Sequence, residues 1–317
     1  MSSNGRQRIP RRPLHGVLLL DKPLGLSSND ALQKAKWLLR AEKAGHTGTL
    51  DPMATGLLPL CFGAATKFSH TSLEADKYYT AQVRLGLMTQ TGDAEGEPVQ
   101  VRPVQITLVQ LQQAVSRLQG VIQQIPPMHS ALKKDGKPLY AYAREGLEVE
   151  RAAREVCIHA LNIQHWDPLE PDVLSLEVHC SKGTYVRTLA QDLGEMLGCG
   201  ASLSGLRRTG SGHLRIGQAI TLQQLEAMDE VQRQAALLPV DALMTHWPQI
   251  QLNDADAGRF ITGLRRRVAQ PDCSAIRVYG PPATQPILLG SAHIKAGELI
   301  PDRLLSPPEI QAQTALH

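Results

Sequence analysis

The chain contains 317 residues, of which 42% are hydrophobic and 20% charged, and this composition excludes a disordered acidic chain or a fibrous protein. At roughly 150 residues per domain, the length predicts about two domains. The net charge of +3 is too small to indicate a partner by itself, but basic residues are clustered at 6–12, 133–137, 207–208 and 265–267. Such clusters are typical of a surface that contacts a phosphate-rich partner at several points, although solvated surface charges explain them equally well.

The N-terminal arm, the apolar runs and the cysteines indicate where the protein acts. Residues 1–13 form a basic arm without an acidic residue and without the apolar stretch of a secretory signal. The longest apolar run, residues 54–65, is interrupted by Gly and Pro and is shorter than the about 20 residues that a membrane helix needs. The five cysteines are widely spaced and form no C-x-x-C pair, so we expect buried free thiols rather than disulfides or a zinc ribbon. We therefore expect a cytoplasmic protein without a membrane segment.

In the first half of the chain, strand and helix signals follow one another without a regular βαβ pattern. Alternating apolar residues predict strands, and a Ser or Thr before an apolar-periodic run predicts the start of a helix. The predicted elements are a buried strand at 16–23, a helix from Ser27 or Ser28 to about residue 40, a strand at 78–86 with Tyr79, Ala81, Val83 and Leu85 on one face, and a helix at 107–118. This order predicts the α+β class.

The second half begins with a segment unlike its surroundings. Residues 126–154 are basic and have little apolar periodicity, which predicts an inserted mobile arm rather than core, a solvated insertion without a role being the alternative. The elements predicted after it are strands at 155–166 and 173–180, a helix at 185–197, an extended stretch at 203–216, a helix at 222–237, and strands at 275–279 and 286–291. We place a domain boundary near residue 248, between a mixed-sheet domain at 14–248 and a small β-rich domain at 249–317.

The segment 45–59, GHTGTLDPMATGLLP, carries the chemical signal. Gly45 and Gly48 permit tight backbone geometry, and Pro52 stiffens the chain directly after Asp51. A carboxylate held on a stiff loop before an apolar strand is typical of a nucleophile or a base, whereas an isolated Asp-Pro turn more often caps local N–H groups. The sequence has neither a nucleotide-binding glycine loop nor the spacing of a histidine metal site, so we expect no cofactor and no metal.

Several motifs taken together resemble the bacterial tRNA pseudouridine synthases that modify uridine 55 of the T loop. The matching motifs, in the order of the family, are LLLDKP at 18–23, GHTGTLDPMATGLLP at 45–59, ATKF at 65–68, KYY at 77–79, TGDAEG at 91–96, KGTYVRTL at 182–189 and LRRT at 206–209. The resemblance covers about residues 14–245. It implies an α+β, mixed-sheet catalytic domain with the inserted basic arm, followed by a small β-rich RNA-binding domain of the PUA type.

The resemblance also implies a reaction and a set of residues for it. Uridine would be isomerised to pseudouridine without a cofactor, with Asp51 as an ionised nucleophile and Arg187 beside it to favour the ionised form. Tyr79 would stack on the base and assist proton transfer. The other expected contacts with the flipped nucleotide and the T loop are His46, Tyr185 and Leu206, with Lys67 and Asp93 supporting the pocket, and Lys133, Lys134, Lys137, Arg207 and Arg208 contacting phosphates.

Two other classes of protein share some of these features. A non-catalytic RNA-binding module would use the same basic surfaces, but a carboxylate aimed at an RNA base would only repel phosphate. A hydrolase with an aspartate nucleophile would need a water-activating base beside Asp51, and the sequence offers no obvious candidate. We expect a monomer that binds the T stem-loop of tRNA, in which Asp51 attacks either C6 of the base or C1′ of the sugar.

Overall fold

The computed structural model describes residues 10–281 and 286–314, so most of the predicted N-terminal arm, including Arg6 and Arg8, lies outside the described residues. The described end of the arm lies against the body of the protein. The Arg12 backbone donates to the Arg40 carbonyl at 2.8 Å, and the Arg12 guanidinium pairs with Glu230 at 2.7 Å. Within the described residues, no helix has the length and apolar character needed to cross a membrane.

Strands and helices alternate irregularly over the described chain. The strands are β1 (Gly16–Lys22), β2 (Ala44–His46), β3 (Ala54–Phe62), β4 (Lys77–Leu85), β5 (Leu87–Thr89), β6 (Pro98–Val101), β7 (Gly120–Gln124), β8 (Lys133–Lys134), β9 (Lys137–Pro138), β10 (Arg154–Asp167), β11 (Glu170–Cys180), β12 (Ala201–Ser211), β13 (Leu214–Arg215), β14 (Ile220–Thr221), β15 (Gln249–Gln251), β16 (Arg266–Arg267), β17 (Cys273–Tyr279), β18 (Leu288–Lys295) and β19 (Glu298–Leu304). The helices are α1 (Ser28–Leu38), α2 (Ser69–Glu74), α3 (Leu108–Arg117), α4 (Leu139–Arg144), α5 (Val186–Met196), α6 (Leu222–Ala227), α7 (Glu230–Ala235), α8 (Asp254–Phe260) and α9 (Pro307–Thr314).

A large mixed sheet forms the main body and confirms the predicted α+β class. Its strand order is β14-β1-β3-β12-β4-β11-β10-β7, with β2 and β13 attached to β3 and β12. Strand β12 lies in the centre, parallel to β3 and antiparallel to β4. Because β12 comes about 150 residues after β3 in the chain, this pairing joins the two halves of the protein in one sheet. Leu206 of β12 is thereby placed between Ala54 and Ala81.

Local sequence signals explain most of the element boundaries. The Thr107 hydroxyl and the Gln110 side chain form the predicted capping box that begins α3. Strand β4 buries every second residue, as its alternation predicts. The helix predicted at 222–237 is wrong as a single element. It is divided into α6 and α7, because the Asp229 side chain accepts a hydrogen bond from the Gln232 N–H and so caps a new helix.

A second, smaller sheet forms the C-terminal part, with the strand order β15-β17-β18-β19-β16. It has its own apolar core around Phe260, and a further apolar cluster joins it to the large sheet through contacts that include Leu57 and Leu288. A polar cluster reinforces this contact, since the Asp241 carboxylate accepts from Arg277 at 2.8 Å and from the Tyr279 hydroxyl at 2.5 Å. The strand-rich C-terminal part predicted from the sequence is therefore confirmed.

Candidate active site

The loop that carries Asp51 connects β2 to β3 and is fixed at both ends. Strands β2 and β3 pair antiparallel, and Gly48 adopts a left-handed backbone conformation with a φ of 83° in the turn between them. The Ser28 hydroxyl at the start of α1 accepts from the Leu50 N–H at 2.7 Å and donates to the Leu50 carbonyl at 2.9 Å. The buried hydroxyls of Thr47 and Ser72 lie 3.0 Å apart. These contacts hold Asp51 in place directly before β3.

Arg187 joins two carboxylates at the centre of the site. Its guanidinium lies 3.0 Å from an Asp51 oxygen and 3.1 Å from an Asp93 oxygen, and only 6% of its side chain is exposed. It also donates to the carbonyl oxygens of Thr91 and His129, at 3.3 and 2.6 Å. Asp93 is buried and accepts further hydrogen bonds from the Thr91 hydroxyl and the Glu95 N–H. One cation is thus held by four acceptors.

Asp51 differs from Asp93 in its access to solvent. The Asp51 side chain is 41% exposed and the Asp93 side chain 3% exposed, so a ligand can reach Asp51 alone of the two. Burial of the surrounding site raises the pKa of Asp51, the nearby Asp93 charge acts in the same direction, and Arg187 opposes both. The balance gives a carboxylate that is more basic than usual and still paired with a cation, as a nucleophile requires.

Lys22 is a charged residue of the site that the sequence reasoning missed as a functional candidate. It is fully buried at the end of β1, and its ammonium group donates to the carbonyl oxygens of Pro23 and Leu26 at 2.9 and 2.6 Å. Burial lowers the pKa of Lys22 to about 8, while the Asp51 charge opposes this change. A lysine at the end of an apolar run and before a proline was the available signal, because a strand end beside a loop is a common place for a functional residue.

Tyr79 and Arg208 lie together beneath this pocket. Tyr79 is 8% exposed on the inner face of β4, and its hydroxyl hydrogen-bonds the Arg208 guanidinium. Arg208 is only 1% exposed and donates to the carbonyl oxygens of Leu57 and Gly48 at 2.7 and 3.4 Å. Burial raises the pKa of Tyr79 and keeps the phenol protonated. The prediction that Arg208 contacts phosphate is wrong, because its charge is enclosed by protein groups.

Two further expected contacts have other partners. The Arg207 guanidinium forms a bidentate ion pair with Asp21, at 3.1 and 2.6 Å, and remains partly exposed.

Lys67 follows the far end of β3, and it donates to the Leu304 carbonyl at 2.9 Å and pairs with Glu309 at 2.5 Å. A nine-residue strand is about 30 Å long at roughly 3.3 Å per residue, so Lys67 lies well away from Asp51. Its assignment to the pocket is wrong; it attaches the C-terminal part to the large sheet.

The remaining pocket candidates lie on elements next to Asp51. Tyr185 immediately precedes α5, and the Gln124 side chain holds both its N–H and its carbonyl, at 3.0 and 3.3 Å. Its hydroxyl lies beside Ser130. Leu206 is half-buried between β3 and β4. His46, at the end of β2, is half-buried, and burial lowers its pKa so that the neutral imidazole is favoured at neutral pH.

The inserted segment 126–154 contains a short hairpin and a helix. Strands β8 and β9 form the hairpin, in which Lys133 and Lys134 are exposed and Lys137 half-exposed, and α4 follows it. Lys134 donates to the Glu150 carbonyl at 2.9 Å, and Lys137 pairs with Glu145 at 2.5 Å. The segment contacts the cluster of Asp51, Arg187 and Asp93 through the His129 carbonyl that accepts from Arg187, a link that the sequence reasoning did not predict.

Two family models match consecutive parts of this chain. The model described as TruB family pseudouridylate synthase (N terminal domain) matches residues 36–186, and the model described as tRNA pseudouridylate synthase B C-terminal domain matches residues 187–245. The structure is also similar to solved structures of other proteins. The match to the Cbf5–Nop10–Gar1 complex has a TM-score of 0.69 at 23% identity and covers 98% of this chain and 92% of that one. This likeness supports the fold.

Full-length relatives give the same result at much higher identity. The tRNA pseudouridine synthase B of Verminephrobacter eiseniae is 56% identical over 316 residues, which cover 98% of this chain and 94% of the relative. The protein of the same name from Ralstonia nicotianae is 58% identical over 301 residues, covering 93% of this chain and 96% of the relative. The chain therefore belongs to the TruB family of pseudouridine synthases, the isomerases that convert uridine in tRNA to pseudouridine.

Proposed function

We propose that this chain isomerises uridine 55 in the T loop of tRNA and that Asp51 is the nucleophile. The observation that carries this proposal is the arrangement of Asp51, Arg187 and Asp93. The Arg187 guanidinium pairs with both carboxylates, and of these two only Asp51 is accessible to a ligand. A non-catalytic RNA-binding module would have no use for an accessible carboxylate whose basicity is raised by burial. The sequence also offers no obvious base that could activate a water molecule beside Asp51, which disfavours a hydrolase.

The reaction needs no electrons from outside, because product and substrate are isomers. The Asp51 carboxylate attacks either C6 of the base or C1′ of the ribose, and the bond between N1 and C1′ breaks. The base turns, C5 forms a bond to C1′, and the bond between Asp51 and the substrate carbon breaks, which returns the free carboxylate. The C5 proton leaves, and N1 gains a proton. Arg187 orients Asp51 throughout, because its other three acceptors keep the guanidinium fixed.

Tyr79 and its neighbours contribute the surface on which the base turns. The Tyr79 ring stacks on the base, and its hydroxyl, held by Arg208, relays the C5 proton: it accepts that proton as its own proton passes to the released Asp51 carboxylate. Leu206 and Tyr185 form the walls of the pocket. A confined apolar pocket keeps the detached base close to C1′ and excludes water, which would otherwise compete for the sugar.

Binding must also provide the energy needed to take the base out of the T loop. Extruding a stacked base costs a few kcal/mol. Contacts of Lys133, Lys134 and Lys137 with phosphates, supported by Arg207, offset this cost, and His46 enters the loop at the vacated position. Because the sheet, the pocket and the segment 126–154 belong to one chain, we propose that the enzyme acts as a monomer on the T stem-loop, in the cytoplasm.

The proposal is tested with a T stem-loop RNA that carries a tritium label at C5 of uridine 55. Tritium is released to water only when C5 forms its new bond to carbon. We expect release by the wild-type protein and none by Asp51→Asn. The matched control substrate carries the label on a uridine in the stem, where release should be absent. Release from the stem uridine at an equal rate would contradict the proposed specificity, and full release by Asp51→Asn would contradict the proposed nucleophile.

A further inference from the structure

Three potential metal ligands meet on the face of the large sheet opposite Tyr79. Asp76 directly precedes β4, His179 lies in β11, and His159 lies in β10. His179 is paired with Tyr78, the neighbour of Tyr79, and successive side chains of a strand point to opposite faces. The group therefore lies behind the sheet, away from Asp51 and its pocket.

A β-bulge places the two histidines side by side. Regular pairing between β10 and β11 is interrupted between Ile158 and Ala160, so that His159 is the extra residue and both His159 and Ala160 oppose His179. The two imidazole rings lie 4.7 Å apart. The sequence could not reveal this arrangement, because its donors come from β10, β11 and the residue before β4, and the spacing of the two histidines matches no helical or turn motif.

The donor atoms are close enough for one ion to bind. His159 Nε2 lies 3.3 Å from an Asp76 oxygen, His179 Nε2 lies 3.7 Å from the other, and all the donors lie within 4.8 Å of one another. In a tetrahedral site with bonds of about 2.0–2.1 Å, ligand atoms stand about 3.3 Å apart. Small rotations of the two rings are thus enough to close the site, and the partial exposure of all three side chains lets an ion enter.

Two neighbouring side chains orient the imidazoles. The Tyr78 ring stacks on His179 with the centroids 4.1 Å apart and the planes at 11°. The Cys157 sulfur lies 3.5 Å from His159 Nδ1, which leaves Nε2 of the same ring directed toward Asp76. Such outer contacts are typical of histidine metal ligands. In addition, His179 Nε2 is buried without a hydrogen-bond partner among the described residues, an arrangement that is costly unless a ligand satisfies it.

We propose that Asp76, His159 and His179 bind one divalent transition-metal ion, of which zinc is the representative. Two neutral imidazoles and one carboxylate suit this class of ion, and a water molecule completes four-coordination. The ion joins the adjoining ends of β4, β10 and β11 and takes no part in the isomerisation. The Arg215 guanidinium lies 4.3 Å from the Tyr78 ring on the same face, and its positive charge repels a metal cation. We therefore expect micromolar rather than picomolar affinity for zinc.

The test is zinc titration of the full-length, untagged protein by calorimetry, with cobalt absorption as a second probe. We expect one zinc ion per chain and visible cobalt bands of a four- or five-coordinate site. His159→Ala and His179→Ala should each weaken zinc binding at least 30-fold. The matched control is His293→Ala, because His293 also contacts a carboxylate, Asp302 at 2.8 Å, in a different sheet, and this change should leave the affinity unaltered.

Stability measurements separate loss of the site from loss of folding. Zinc at 100 times its dissociation constant should raise the unfolding midpoint of the wild-type protein, because the equilibrium shifts about 100-fold toward the folded state, and should not raise that of His179→Ala. Asp76→Asn preserves the shape of the site and should also weaken binding. The proposal is overturned if the wild-type protein binds no zinc below 1 mM, on the order of 1,000 times the expected dissociation constant, or if the alanine variants bind it as tightly as the wild type. Tritium release without added zinc should be unchanged in His179→Ala.

Discussion

The pocket around Asp51 and the hairpin at residues 133–138 use charge in opposite ways. In the pocket, Arg187 and Asp93 are buried, Asp51 is partly exposed, and Arg187 is bonded to four acceptors. In the hairpin, the lysines lie at the surface, and those with partners form exposed contacts. Buried charges interact strongly because the surroundings screen them poorly, whereas exposed charges are screened by salt within about 8–10 Å.

Because of this difference, the two regions should act on different steps of the proposed reaction, the chemical conversion and RNA binding. Changes in the pocket should act on the chemical step and depend on pH, and changes in the hairpin should act on RNA binding and depend on salt. The segment that carries the hairpin contacts the pocket through the His129 carbonyl, which accepts from Arg187 at 2.6 Å, and through Ser130, which lies beside the Tyr185 hydroxyl. If the separation holds, pocket variants keep their affinity for RNA and hairpin variants keep their turnover on saturating RNA.

The largest effect is expected for Asp51→Asn. The amide cannot form the covalent bond, so turnover should fall at least 1,000-fold, which corresponds to about 4 kcal/mol of barrier. Affinity for the T stem-loop should stay within a few-fold of wild type, because the basic contacts remain. The measurements are tritium release at saturating RNA and a filter-binding titration.

The matched control for this change is Asp172→Asn. Asp172 also pairs with an arginine, Arg84 at 2.5 Å, but on the protein surface. Exposed pairs of this kind contribute about 0–1 kcal/mol, so turnover and stability should both be near wild type. Turnover of Asp51→Asn within tenfold of wild type would rule out the nucleophile.

A smaller loss, about 100-fold in turnover, is expected for Arg187→Gln. Arg187 lowers the pKa of Asp51 against the effect of burial, so its removal raises that pKa further. Since the ionised carboxylate is the active form, activity is lost as pH falls through this pKa, and the acidic limb of the rate profile should move to higher pH. The measurement is the pH dependence of kcat/KM.

Arg187→Lys is the companion variant. It keeps the charge and should return the acidic limb toward its wild-type position, while turnover stays low because one ammonium group cannot hold both carboxylates. It also keeps a positive charge beside the buried Asp93, so this variant should still fold, since a buried carboxylate left without a partner costs about 3–5 kcal/mol of stability. An acidic limb that stays in place in Arg187→Gln would show that Arg187 does not set the ionisation of Asp51.

The effect of Tyr79→Phe should be smaller again, about 30-fold in turnover, with little change in binding. The ring remains to stack on the base, but the hydroxyl that contacts Arg208 is lost. Full general acid–base catalysis typically contributes about 100-fold or more to the rate, so partial loss of it gives a smaller effect. Tyr78→Phe is the control on the same strand, because its ring lies on the other face of the sheet. An unchanged kcat in Tyr79→Phe would remove the role in proton transfer.

The sequence predicted the parts of the fold that depend on local patterns. Caps such as Thr107 with Gln110, the alternation in β4 and the stiff loop before β3 need only neighbouring residues. The approach of Arg187 to Asp51 came from the family resemblance, since no local pattern relates residues so far apart in the chain. The same limit explains why Lys22 and the His129 carbonyl were missed as parts of the site.

The errors concern faces and ends of strands. Arg207 and Arg208 were both expected to contact phosphate, yet neighbours in a strand point to opposite faces, so at most one of them could be exposed on a given face. Lys67 was placed near the pocket because its motif follows the signature closely, but β3 carries the chain to the opposite end of the strand, about 30 Å away. In both cases, the alternation and length of a strand would have given the correct answer.

The smallest effect, and the only one expected to depend on salt, concerns the hairpin. Replacing Lys133, Lys134 and Lys137 by Gln should weaken binding of the T stem-loop about tenfold and leave single-turnover chemistry at saturating RNA unchanged. Each lost phosphate contact lowers the slope of log K against log salt by about 0.7 to 0.9, so three contacts change it by roughly two to three units. Lys137 must first leave Glu145, which makes its contact the weakest of the three.

The matched control removes three other surface charges, by Lys34, Lys36 and Lys43 to Gln, on and just after α1. The net charge then falls by the same amount, so a general electrostatic effect would act equally on both triple variants. A slope that falls only in the hairpin variant identifies a specific phosphate clamp. If the two variants change the slope equally, the hairpin lysines are ordinary surface charges and the proposed clamp is absent.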